Sequence, residues 1–157
     1  MLFRDFITPA SIIGNLASTT RNEVLAEMVD YMIGAGLIHR DIRQGILRAL
    51  IEREDITSTG IGKGLAVPHG KHPAMKKLTG LVARSREGVA FNALDGKPVH
   101  LFVMLLSNQE LVNQHLHALT HVATTFKREE TTSFILNARN EKEIWKLLED
   151  ADQQKGN

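Results

Sequence analysis

The sequence predicts a single α/β domain, with helices layered on a central sheet, from three observations. Helix-spaced apolar residues fill the segment from about residue 20 to 53, short apolar runs replace them between Leu65 and Ser107, and helical spacing returns at Val112. Helices, then strands, then helices bury their apolar faces most simply as layers around one sheet. The chain of 157 residues suits one domain, 1–157, and 43% hydrophobic residues are enough for a sizeable core.

Thr20-Arg-Asn-Glu23 has the composition of a capping box, in which hydroxyl and carboxylate satisfy the free amides of a helix start. Val24, Leu25, Met28, Val29 and Met32 follow at helical spacing, and Gly34 and Gly36 end the run. A second helix is predicted from about Arg40 to Arg53, burying Ile42, Ile46, Leu47, Leu50 and Ile51. Thr57-Ser-Thr-Gly-Ile-Gly-Lys-Gly64 has turn composition, and Leu65-Ala-Val67, closed by Pro68, reads as a strand end. Strands are predicted at Leu78 to Ala83 and Val99 to Ser107, with a turn at Asp95-Gly96. The second is almost continuously apolar, as expected of a strand covered on both faces. Helices are predicted again over Val112 to Phe126 and after Asn140, before a polar, frayed tail at about 152–157.

Bulk chemistry removes several function classes. A net charge of +1 with scattered basic residues gives no footprint for nucleic acid or an acidic membrane. The absence of cysteine excludes disulfides, thiolate catalysis and cysteine metal sites. The N-terminus lacks the basic start and apolar run of a secretion signal. No stretch approaches the ~18 apolar residues that span a bilayer. A cytoplasmic protein without direct membrane insertion is expected.

The glycine-rich segment does not make a phosphate loop, because Gly62-Lys63 is followed by Gly64 and then by a strand rather than a helix. His69, between Pro68 and Gly70, would sit at the mouth of the sheet on a stiff support, with Gly70 leaving space beside the ring. Neutral imidazole is a good nucleophile near pH 7, although from spacing alone a histidine at a strand end is more often a turn hydrogen-bonder than a nucleophile. His115 falls within the apolar arc formed by Val112, Leu116, Leu119, Val122, Ala123 and Phe126. Facing inward, it is either a core histidine bonded to a carbonyl or a pocket histidine opposite another group. His117 and His121 share the opposite, polar face and read as solvated, because no carboxylate completes a zinc pattern. His72 lacks metal partners, and His39 and His100 carry no signal. Arg53, at the end of the second helix, is either a favourable C-terminal cation or a guanidinium for phosphoryl oxygens.

Arg53-Glu54 and Thr57-Ser-Thr-Gly-Ile-Gly-Lys-Gly-Leu-Ala-Val-Pro-His69-Gly together resemble the phosphorylation-site signature of the fructose/mannitol-type enzyme IIA domains of the sugar phosphotransferase system. The resemblance continues through Gly88-Val-Ala-Phe-Asn-Ala-Leu-Asp95-Gly-Lys-Pro-Val99 and His115-Leu-His-Ala-Leu119, nearly the whole chain in the family's order. It looks closest to the fructose-specific and nitrogen-regulatory branches, except that Leu106-Ser-Asn-Gln-Glu110 lacks the proline-containing turn common in the regulatory branch.

The resemblance implies a mixed β-sheet sandwiched between helices, His69 as the phosphorylated histidine, His115 as the second active-site histidine and Arg53 as the active-site arginine. It gives Thr59 a part in shaping the pocket. It further implies phospho-HPr as donor and an enzyme IIB component, with or without membrane IIC, as acceptor, with no metal, nucleotide or cofactor. Two other readings stand beside it. One is a stand-alone regulatory module whose phosphorylation state controls partner proteins; the other is a histidine metal-site hydrolase.

Overall fold

The structure, a computed structural model, describes residues 1–155. Among them five α-helices flank a six-stranded sheet. The strands are β1 (Ile12–Ile13), β2 (Gly60–Gly62), β3 (Leu65–Ala66), β4 (His69–Lys71), β5 (Thr79–Val89) and β6 (Val99–Ser107). The helices are α1 (Arg21–Gly34), α2 (Arg43–Ile56), α3 (Val112–Phe126), α4 (Glu129–Leu136) and α5 (Glu141–Lys155). The sheet order is β1-β5-β6-β3-β2, with β4 also on β6. It is mixed, because β1 joins β5 and both β3 and β4 join β6 in parallel, whereas β5–β6 and β2–β3 are antiparallel.

The near-continuous apolar run of β6 is explained by what covers it. Alternate strand residues face opposite sides of a sheet. Phe102, Met104 and Leu106 accordingly pack against α1 and α2, among Val24, Leu25, Met28, Ile46 and Leu50. Leu101, Val103 and Leu105 pack on the other side, with Ala118 and Val122 of α3, Ile135 of α4, Ile144 and Leu148 of α5, and Phe3, Phe6 and Ile7 of the N-terminal segment. Each buried Leu, Val or Phe gains roughly 1.5–3 kcal/mol in leaving water, before chain entropy is subtracted. The helices therefore sandwich the sheet, as expected.

Several details depart from the sequence-based expectation. Thr20 precedes α1 without a side-chain cap, and its backbone forms a parallel bridge with Ala90. The second helix opens with a 3-10 turn at Arg40–Ile42 and runs on to Ile56, so Arg53 lies in its last turn rather than at its end. The expected tail is helical to Lys155, and the Asp152 carboxylate accepts the backbone amides of Phe3 (2.8 Å) and Arg4 (3.2 Å). Residues 156–157 of that tail lie outside the described residues.

The bounds of α3 match, but its buried line is rotated. Val112 and Leu116 are exposed, while His121 is buried. His121 packs on Phe3, with ring centroids 4.3 Å apart, and its Nε2 lies 3.8 Å from the Asp152 carboxylate. The N-terminal segment and α5 thus cover a helix face that looked solvated in the sequence. His117, its neighbour on that face, is exposed as expected.

Candidate active site

The segment carrying His69 is one strand line interrupted by a proline. Leu65 and Ala66 pair with Leu101 and Phe102, and His69, Gly70 and Lys71 pair with Leu105, Leu106 and Ser107 in the same register. Pro68 has no N–H, so the ladder lapses there, but its carbonyl accepts from Leu105 N at 3.0 Å and keeps the line in place. Alternation then decides the faces. Val67 packs on the α3 side, and His69, two residues on, shares it. Gly70 faces the other way, against α2, where a Cβ would stand 3.4 Å from that of Ala49. The glycine therefore admits α2 rather than making room beside the imidazole, as the sequence had suggested.

His69 meets His115 of α3, with ring centroids 5.2 Å apart and planes at 65°. His69 Nδ1 lies 2.9 Å from the Val67 carbonyl. A carbonyl only accepts, so in the neutral ring Nδ1 carries the proton and Nε2 the lone pair. His115 is buried, with Nδ1 2.6 Å from Ser107 Oγ and Nε2 without a hydrogen-bond partner among the described residues. Burial is the main cause that lowers the pKa of His69, and the positive charges of Arg53 and Lys71 reinforce it against the Val67 bond. Burial, with His69 and Lys71, lowers that of His115 to about 4. Both rings are neutral at pH 7.

Arg53 is half-buried and donates to the Thr57 carbonyl at 2.7 Å. Thr59 is buried, and its amide (3.0 Å) and hydroxyl both donate to the Glu54 carboxylate, whose pKa burial raises. Its carbonyl accepts from Val67 N at 3.1 Å, so Thr59 braces the segment that ends in His69. The other histidines make local contacts: His72 Nδ1 accepts from Ala74 N, His39 Nδ1 from Asp41 N, and His100 bonds the Ser85 carbonyl. The glycine-rich segment is the hairpin joining β2 to β3, with positive φ at Gly62, Lys63 and Gly64. Glu54, Lys71 and Ser107 escaped the sequence reading. Only the Arg53-Glu54 dipeptide in the signature pointed to the first, and nothing pointed to the other two.

The neutral His115 has a stability signature. Its unfolded-state pKa is about 6.5 and its folded one about 4, so folding favours the unprotonated ring. That contribution is fully present above about pH 6.5 and is lost as pH falls toward about 4, amounting to ~3 kcal/mol. Urea melts at pH 7.5 and 4.5 should show the loss in the wild type and a smaller one in His115→Gln; equal losses would remove His115 as its source.

Residues 5–151 match the family described as Phosphoenolpyruvate-dependent sugar phosphotransferase system, EIIA 2. The chain is 33% identical over 153 residues to the PTS system fructose-specific EIIABC component of Bacillus subtilis (strain 168), covering 98% of itself and 24% of that protein. It thus spans about a quarter of that relative's length. It is 32% identical over 143 residues to the PTS system fructose-specific EIIA component of Haloferax volcanii, covering 90% and 92% of the two chains. The crystal structure of Nitrogen Regulatory Protein IIA-Ntr from Neisseria meningitidis aligns with a TM-score of 0.79 at 30% identity, over 90% of this chain and 94% of that one. With a family match that runs through both facing histidines and the arginine upstream of them, the chain belongs to the EIIA 2 family of the phosphoenolpyruvate-dependent sugar phosphotransferase system.

Proposed function

We propose that His69 Nε2 accepts a phosphoryl group from phospho-HPr and passes it to an enzyme IIB component. The observation that carries this reading is the Nδ1–Val67 carbonyl bond, which leaves a bare Nε2 beside a second neutral histidine. In uptake, the Nε2 lone pair attacks phosphorus in line, the N–P bond of the donor phosphohistidine breaks, and its electron pair returns to the donor ring. His69 keeps its Nδ1 proton throughout, and the positive charge that develops on the phosphorylated ring is stabilised by the Val67 carbonyl. Such transfer asks mainly for positioning and charge stabilisation. His115 donates from Nε2 to a phosphoryl oxygen, and Arg53 and Lys71 supply positive potential. No cofactor enters.

The similarity to a nitrogen regulatory protein supports a second reading, in which the phosphorylation state of His69 controls a regulatory partner and no sugar component accepts the group. Incubation with phosphoenolpyruvate, enzyme I and HPr is expected to add the mass of one acid-labile phosphoryl group. No gain would sink both readings. Discharge of the label by a IIB protein supports the first; an undischarged label, with capture of a partner selective for one phosphorylation state, supports the second. His115→Ala is expected to retain labelling but to slow discharge roughly 100-fold, as when one preorganised donor is lost. Discharge at the wild-type rate would exclude His115 from the transfer.

A further inference from the structure

The two facing histidines have chemically different partners at Nδ1. The carbonyl at His69 only accepts and so allows a single tautomer. The Ser107 hydroxyl at His115 can donate or accept. A neutral imidazole carries one proton, so the direction of that bond decides what Nε2 of His115 is. If Ser107 accepted, both rings would present lone pairs, and His115 would turn a buried acceptor toward a phosphoryl dianion. If Ser107 donates, His115 Nε2 bears the proton and becomes a donor for a phosphoryl oxygen.

We propose that Ser107 is a positioning residue: its hydroxyl donates to His115 Nδ1 and fixes the Nε2–H tautomer needed at a phosphorylated His69. The fold holds the serine firmly in this role. Strand alternation puts Ser107 on the same face of β6 as Val103 and Leu105, toward α3. Its backbone pairs with Lys71, and its carbonyl accepts from His72 N at 2.9 Å. Its exposure is 0%, so water does not compete for the ring nitrogen. The orphaned, buried Nε2 of His115 is the second mark of the arrangement, a polar atom with its partner still to come.

The proposal rests on His69 as phosphoryl acceptor, but its first test does not use phosphorylation. Long-range ¹⁵N–¹H correlation of the unphosphorylated protein is expected to show a pyridine-like Nδ1 and pyrrole-like Nε2 for His115, and the reverse for His69. A pyrrole-like Nδ1 on His115 overturns the proposal, even if His69 labels normally. Conversely, an unlabelled His69 defeats the functional reading and leaves the tautomer result standing. Ser107→Ala is expected to mix the His115 tautomers and slow discharge to IIB roughly tenfold, and Ser107→Thr to restore both. Unchanged ring shifts and rates in Ser107→Ala overturn the assignment; should that variant not fold, the wild-type spectrum decides.

Discussion

His69→Gln is expected to lower phosphoryl uptake from HPr by ~10⁴-fold or more, the scale seen when a nucleophile is removed. Glutamine isolates the chemistry from the packing. Its amide N–H₂ can still donate to the Val67 carbonyl, but it offers no basic nitrogen lone pair to attack phosphorus. The ring is only half-buried, so the substitution should cost about 1 kcal/mol and lower Tm by roughly 2–4 °C. No other histidine is placed to substitute. His115 is buried with Nδ1 engaged, and its low basicity, with a pKa of about 4, makes it a poor nucleophile. His100 is held to the Ser85 carbonyl, and exposed His117 lies outside the pairing. A mass-spectrometric time course checks the expectation, with a thermal melt to show that the variant is folded. Robust, acid-labile labelling of folded His69→Gln would remove His69 from the mechanism.

What was legible in the sequence follows from what is local. The bounds of β6 and α3 appear as written, because a two-faced apolar run and a helical period are properties of short segments. The inward turn of His115 was readable from the same period, although Val112 and Leu116 were placed in the arc wrongly. The buried line of α3 runs through His115, Ala118, His121, Val122 and Phe126 instead, because the N-terminal segment and α5 cover its His121 side, and periodicity cannot show where a neighbouring layer lies. Ser107 and Lys71 come together only through the parallel register of β4 on β6, which no local pattern encodes. The two-residue β1 is below the length at which alternation is visible. Helix α4 is rich in Thr and Ser and leaves Phe134 exposed, so neither propensity nor pattern marks it. The strand expected to end at Ala83 continues to Val89, and the first residue beyond the expected end, Arg84, is buried.

Arg84 carries the largest stability effect expected outside the apolar core. Its Nε donates to the Gly14 carbonyl at 2.8 Å, and Nη1 to those of Ile135 (2.9 Å), Ala138 (2.6 Å) and, more weakly, Leu136 (3.4 Å). Two of these belong to the last turn of α4, beyond its i→i−4 ladder, where the Ile135 carbonyl also accepts from Ala138 N at 3.2 Å. A cation there also meets the negative end of the helix dipole. One guanidinium thereby ties β5, the segment after β1 and the end of α4 into a single clasp. Burial pushes its pKa down, with Glu141 and Glu143 opposing the shift, but a guanidinium stays charged at neutral pH. Arg84→Met keeps much of the apolar stem but takes the donor from the buried Gly14 and Ala138 carbonyls, each worth about 1–3 kcal/mol before water relieves some of the loss, while the Ile135 carbonyl keeps its bond from Ala138 N. A net loss of about 3–5 kcal/mol follows, lowering Tm by roughly 10 °C or more. Arg84→Lys should recover less than half of it, because a single ammonium on a flexible stem cannot reach both the segment after β1 and the end of α4. The clasp is remote from the chemistry in kind as well as in contacts. Arg84→Met protein that remains folded at low temperature should therefore label on His69 at the wild-type rate, while its melting point falls. A melt within about 2 °C of wild type would show that solvent and local rearrangement satisfy those carbonyls without the guanidinium.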